Sequence, residues 1–151
     1  MSSRGLDIMK PEECDQCLQA TDFGRVITKL GDTIAAFPVF YALVGGDIIF
    51  RTDPGTKLAA AVLHTRVTFE IDDARAGWSV MAVGFCEEVR SLAELEHALA
   101  TLDQYWPEGE RQRVVRIHPD RVTGRRLRSS ESAGSPSPAR APQFGEAKEG
   151  Q

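Results

Sequence analysis

Two glycine-centred turns, Gly31-Asp32 and Gly45-Gly46, cut the stretch from Gly24 to Thr52 into three apolar segments. No other feature narrows the fold as much. Turns of this kind reverse the chain between antiparallel neighbours, so Gly24–Leu30, Thr33–Val44 and Asp47–Thr52 read as a three-strand meander. Pro38 falls inside the second segment. It has no N–H for a ladder, so it marks an edge, a bulge or a barrel corner. Farther on, Arg66–Asp73 alternates: Val67, Phe69 and Ile71 face one way, and Thr68, Glu70 and Asp72 the other. Trp78–Arg90 and Val114–Leu127 read as long strands, the first bending at Gly84 and the second interrupted near Pro119.

Helices are short by comparison. Pro11 to about Ala20 reads as one. A second runs from Pro54 to about His64, with Asp53 as cap and Pro54 at the first helical position. The third runs from Leu92 to about Asp103, with Ser91 and Glu94 forming a capping box. The strands do not alternate regularly with helices, which excludes a doubly wound sheet. The fold is mainly β, a barrel or a sandwich with short helices. The 151 residues suit one domain. Residues 1–10 are expected to be a flexible N-terminus and 11–128 the folded domain. Residues 129–151 are rich in serine, proline, alanine and glycine. Such a stretch buries too little apolar surface to offset its ordering entropy and is expected to be a disordered tail.

The junction Phe50-Arg51-Thr52-Asp53-Pro54-Gly55-Thr56-Lys57 carries the chemistry. A buried strand ends in a cation and a hydroxyl, turns through Asp-Pro-Gly, and enters a helix beginning with Thr56 and Lys57. Helix N-terminal N–H groups attract anions. Arg51 adds a planar fork of donors and Lys57 a point charge, so the pattern suits a phosphate. It equally suits a well-capped strand–helix junction with ordinary surface cations. A nucleotide-hydrolysing P-loop is excluded, because no Gly-Lys-Ser/Thr run follows a long glycine loop.

A series of segments matches a known family in order. They are Phe23-Gly24-Arg25-Val26, Phe37-Pro38-Val39-Phe40-Tyr41, Phe50-Arg51-Thr52, Pro54-Gly55-Thr56-Lys57-Leu58-Ala59 and Val67-Thr68-Phe69-Glu70-Ile71-Asp72. Gly77-Trp78-Ser79-Val80, Val83-Gly84, Arg116-Ile117 and Arg121-Val122-Thr123-Gly124-Arg125-Arg126 follow. Together they resemble the pyridoxamine 5′-phosphate oxidase-like, FMN-binding split-barrel family, in its short actinobacterial-type branch. The resemblance implies a six-stranded antiparallel split β-barrel that forms a homodimer with the flavin in a groove at the interface. It implies that Arg51, Thr52, Thr56 and Lys57 hold the FMN phosphate and that Phe37, Pro38 and Val39 line the isoalloxazine ring. Trp78 and Ser79 are further candidates for the same groove. Relatives often carry asparagine where this chain has Phe40, and threonine or a similar residue where it has His118.

The function so implied is oxidoreduction of a small-molecule substrate, with FMN as cofactor and no assignable catalytic side chain. The flavin performs the transfer and the protein positions it. A deazaflavin is the alternative cofactor. A non-catalytic barrel that binds FMN, haem or only a partner is the alternative class. A true pyridoxamine 5′-phosphate oxidase is not expected. That reaction needs a second phosphate site, helped in the true oxidases by a C-terminal segment carrying arginine, histidine and tryptophan. Here Val114–Arg128 offers Arg116, His118, Arg121 and Arg125 but no aromatic residue.

Charge and the remaining residues set the other expectations. A formal charge of −4 argues against nucleic acid and membrane surfaces as partners. No apolar run approaches the ~20 residues of a membrane span, and Met1–Lys10 lacks a signal-peptide core. A cytoplasmic protein is expected. Three cysteines do not make a disulfide framework. Cys14 and Cys17 have metal or redox spacing, but no second paired motif completes four ligands, so no metal site is expected. Arg121, Arg125, Arg126 and Arg128 make the last strand basic, as a second anion site or as a solvated edge. His118 is the one histidine placed near a possible pocket.

Overall fold

The computed structural model describes residues 5–53, 56–102 and 113–128. Its elements in order are β1 (Leu6–Ile8), α1 (Pro11–Ala20), β2 (Phe23–Leu30), β3 (Thr33–Val44) and β4 (Asp47–Thr52). Then come α2 (Lys57–Val62), β5 (Arg66–Asp73), β6 (Trp78–Glu88), α3 (Leu92–Leu102) and β7 (Arg113–Leu127). The sheet order is β1-β7-β4-β3-β2-β5-β6, and β6 also pairs with β7. That last pairing closes six antiparallel strands into a barrel and leaves β1 as a short extra strand. The split-barrel architecture expected from the sequence is the one observed.

The two glycine turns act as the sequence implied. Gly31, Gly45 and Gly46 all have positive φ, which costs glycine nothing. The register across β2 and β3 runs from Leu30↔Thr33 to Phe23↔Phe40, and across β3 and β4 from Val44↔Asp47 to Tyr41↔Phe50. Alternation puts Val26, Val39, Tyr41, Ile48, Phe50, Val67, Phe69, Ile71, Val80 and Ala82 in one interior core. On β7 the inward set is Val115 and Ile117 before Pro119, and Val122 and Gly124 after it. One extra residue between Arg121↔Val83 and Pro119↔Gly84 makes that switch, as a β-bulge does. Gly84 is required beside it: a Cβ there would lie 2.1 Å from the His118 carbonyl oxygen.

Helices close the barrel ends. α1 seats Cys14 and Leu18 in the core and is tied down where the Tyr41 hydroxyl donates to the Leu18 carbonyl at 2.7 Å. Burial pushes the Tyr41 phenol up to about 12. α2 buries Ala59 and Val62 at the other end of β6, where the His64 N–H donates to the Cys86 carbonyl. α3 lies outside the barrel on a second, smaller core of Ala42, Ile49, Val89, Ala98, Leu102 and Val114.

Three expectations need correction. The stretch 1–10 is not uniformly flexible, because Leu6–Ile8 pairs with Arg125–Leu127 as β1. Asp53 does not cap α2. Thr56 does, its hydroxyl accepting from the Ala59 N–H at 3.3 Å, and Asp53 instead offers its carbonyl to the Thr56 N–H at 3.2 Å. Pro54 and Gly55 lie outside the described residues. The Glu94 carboxylate, in the first turn of α3, accepts from Arg116 at 2.9 Å. The long sixth strand ends at Glu88 rather than Arg90. The proposed tail, 129–151, also lies outside the described residues. No described helix is long and apolar enough to cross a membrane.

Candidate functional site

The barrel opens where the β3–β4 ladder stops. Tyr41 donates its N–H to Asp22 on the β2 side, so ladder alternation turns Ala42, Phe40 and Pro38 toward β4. Ala42 is matched by Ile49 in the ladder, whose last pair is Tyr41↔Phe50. Pro38, with no N–H, cannot extend it. Beyond that point Phe37–Phe40 and Arg51–Asp53 separate into the two walls of a groove of about 340 Å³. Thr56, Lys57 and Leu58 of α2 and Leu102 of α3 complete the lining. The volume lies in the range of small-molecule sites, about 300–1,000 Å³.

Seven of the residues singled out from the sequence meet here: Phe37, Pro38, Val39, Arg51, Thr52, Thr56 and Lys57. Trp78 and Ser79 do not. They line a separate hollow of about 260 Å³ with Leu6, Asp73, Gly77, Arg125 and Leu127. The reason is register: Trp78 and Ser79 face Arg126 and Arg125 of β7, away from the β3–β4 opening. His118 is also elsewhere, with its Nδ1 2.5 Å from Asp47 Oδ1.

The lining of the groove is of two kinds. Arg51, Lys57, Asp53 and two threonine hydroxyls make the charged and polar part. Phe37, Pro38, Val39, Phe40, Leu58 and Leu102 make the apolar part. α2 contributes less to the charged part than its sequence suggested. It has only six residues, and the Ala59 N–H is taken by the Thr56 hydroxyl. That hydroxyl also donates to the Asp53 carbonyl at 2.9 Å, so it acts as a cap first. Thr52 differs. It ends the interior row Ile48, Phe50, Thr52, is buried, and its Oγ1 has no hydrogen-bond partner among the described residues. A buried orphan hydroxyl costs about 1–3 kcal/mol and is accounted for if a ligand oxygen meets it. A phosphate attached to a planar apolar body fits this donor set.

Sequence reasoning did not name four of the lining residues, Phe40, Asp53, Leu58 and Leu102, as members of the site. Leu102 carried no signal beyond its place in the apolar stripe of α3. The basic last strand resolves in part into ion pairs. Arg126 reaches Glu13 at 3.3 Å and Arg128 reaches Asp7 at 2.7 Å. The acidic strand face is bridged by Arg25, 3.3 Å from Glu70 and 3.1 Å from Asp72. Among the described residues, no group of three or more His, Cys, Asp or Glu side chains could hold a metal ion.

Comparison with known proteins agrees with this fold. A family model described as pyridoxamine 5′-phosphate oxidase matches residues 10–126. The protein Rv0080 of Mycobacterium tuberculosis is 30% identical over 135 residues, 83% of this chain and 88% of that protein. The solved structure of the FAD binding protein from Mycobacterium smegmatis aligns with a TM-score of 0.73 and 32% identity, over 82% of this chain and 100% of that one. The structure of DIP1874 from Corynebacterium diphtheriae aligns with a TM-score of 0.70 and 28% identity, over 81% of this chain and 98% of that one.

Proposed function

Since the chain belongs to the pyridoxamine 5′-phosphate oxidase family, we propose that it is a flavin-dependent oxidoreductase whose cofactor lies in the groove opened by β3 and β4. The orphan hydroxyl of Thr52, set between Arg51 and the Lys57 end of α2, carries the reading. Arg51 and Lys57 offset the charge of the phosphate, Thr52 donates to one of its oxygens, and Thr56 shapes the turn beneath it. Phe37, Pro38 and Val39 present an apolar wall to the ring and keep water from it. When bound, the flavin supplies hydride or electron transfer to a small substrate.

FMN is the flavin of first choice, because its terminal phosphate matches two cations and a hydroxyl. The FAD-binding relative from M. smegmatis makes FAD the competitor, and a deazaflavin is the third arm of the test. The purified protein is expected to be yellow or to become so on titration with FMN, with quenched flavin fluorescence. A protein that takes up none of the three refutes the proposal. Pyridoxamine 5′-phosphate is not the expected substrate, since Val114–Arg128 lacks the tryptophan that helps the true oxidases hold a second phosphate. Turnover of that amine at about 1 per second or faster would overturn this part.

The site is read as shared by two copies of the chain. Phe23, Ile34 and Phe85 expose large apolar side chains, and a second copy covers such surface. Light scattering is expected to give twice the chain mass, and a monomer sinks the dimer. Three free cysteines suit a reducing compartment, the cytoplasm.

A further inference from the structure

Helix α3 touches the groove at one end and a charged cluster at the other. At its C-terminal end Leu102 is buried and forms part of the groove wall. In its first turn Glu94 accepts from Arg116 at 2.9 Å. The two points are about 12 Å apart along the axis, at about 1.5 Å per residue. Between them Ala98 and Leu95 of α3 pack on the small outer core, against Ala42, Ile49, Val89 and Val114.

Arg116 is built to hold its ground. It stands on β7 opposite Ile49 of β4 and Glu87 of β6. Its side chain is 19% exposed and reaches Glu87 at 3.2 Å and Asp47 at 3.7 Å besides Glu94. Asp47 and Glu87 belong to the barrel, and Glu94 to the helix. One guanidinium therefore ties the helix to two strands of the barrel. The next rung of that sheet face, Arg51↔Val114, carries the groove's own arginine.

We propose that Arg116 is a positioning residue for the groove: through Glu94 it fixes α3 and so sets the Leu102 wall against the bound ligand. This rests on the flavin reading of the groove and adds the regulation of its width. Loosening Glu94 removes the tie between α3 and the barrel strands at Arg116, and the ligand loses a fixed wall. By linkage, a ligand in the groove holds α3 in place.

The test uses Glu94→Gln in the full chain. It removes the charge that faces Arg116 from the helix and leaves Asp47 and Glu87 to neutralise Arg116, so the barrel keeps its fold. In the free protein, backbone amides of α3 are expected to exchange with solvent about tenfold faster than in the parent, while those of β5 and β6 keep their rates. FMN is expected to slow α3 exchange in the parent and to bind the variant about three- to tenfold more weakly. In a Leu102→Ala background Glu94→Gln is expected to cost no further affinity, because the wall it positions is gone. Unchanged α3 exchange in the free variant overturns the proposal, as does a full, additive loss of affinity in the Leu102→Ala background. A parent protein that binds no FMN refutes the flavin reading instead, and the positioning role is then decided by α3 exchange in the free chain.

Discussion

Thr52→Val separates the cost of an empty site from the gain of a filled one, because the two have opposite signs. Thr52 is 4% exposed, and its hydroxyl has no partner among the described residues. Keeping such a group dry costs about 1–3 kcal/mol. Valine has nearly the same shape and suits a strand, so it removes the cost without opening a cavity. The ligand-free variant should therefore be more stable than the parent by about 1 kcal/mol, which raises Tm by about 4 °C for a domain of this size. With FMN present the order reverses. A hydroxyl donating to a phosphate oxygen contributes about 1.5–3 kcal/mol, so the variant should bind FMN at least about tenfold more weakly. Thermal unfolding with and without FMN, together with fluorescence titration, measures both signs. A ligand-free variant less stable than the parent shows that the hydroxyl has a partner in the fold. Equal FMN affinity shows that the phosphate does not reach Thr52.

Other substitutions probe the same picture. Arg51→Ala and Lys57→Ala should each weaken FMN binding by roughly 1.5–3 kcal/mol in calorimetric titration, and unchanged affinity in both would mean the phosphate site is misplaced. Gly84→Ala should destabilise by about 3 kcal/mol, because its methyl would meet the His118 carbonyl oxygen and the Pro119 Cα, 2.9 Å away. A shift in urea midpoint worth under about 1 kcal/mol would show that the bulge yields easily. Tyr41 has its phenol pushed up to about 12 by burial, against about 10 in an unfolded chain. Its share of stability is fully present below pH 10 and is lost as pH rises through 12. Urea midpoints between pH 9 and 12 should fall more steeply in the parent than in Tyr41→Phe, and parallel curves would contradict the burial.

The barrel was legible because its signals are local and periodic. Gly31, Gly45 and Gly46 mark the turns, alternation in Arg66–Asp73 marks a half-buried strand, and Pro38 marks the place where a ladder must end. The charged part of the groove was legible for the same reason, since Arg51, Thr52, Thr56 and Lys57 sit within one junction. What escaped depended on distance in the fold. Nothing near Leu102 says that it will line the same groove as Arg51, and nothing near Glu94 says that it will meet Arg116. Trp78 and Ser79 line a separate hollow because register, which decides what a strand residue faces, is a property of two strands. Thr56 rather than Asp53 is the cap because α2 begins at Lys57, three residues later than the Asp-Pro pair implied.

β7 is the last of the described strands and pairs with three others, β1, β4 and β6. A ribosome making this chain must therefore release nearly the whole barrel before any of it can shut. Until Arg113–Leu127 emerges, the meander β2–β3–β4 ends at Ile48, Ile49 and Phe50 with nothing beside them, and the β5–β6 pair ends at Val80, Ala82 and Cys86 in the same state. Both are apolar sheet edges of the kind that pair with any strand nearby, and closing them depends on contacts distant in sequence, which form slowly. Translation that stalls before residue 113 leaves two such edges on one nascent chain, so the molecule is most prone to aggregate just before its final strand is made.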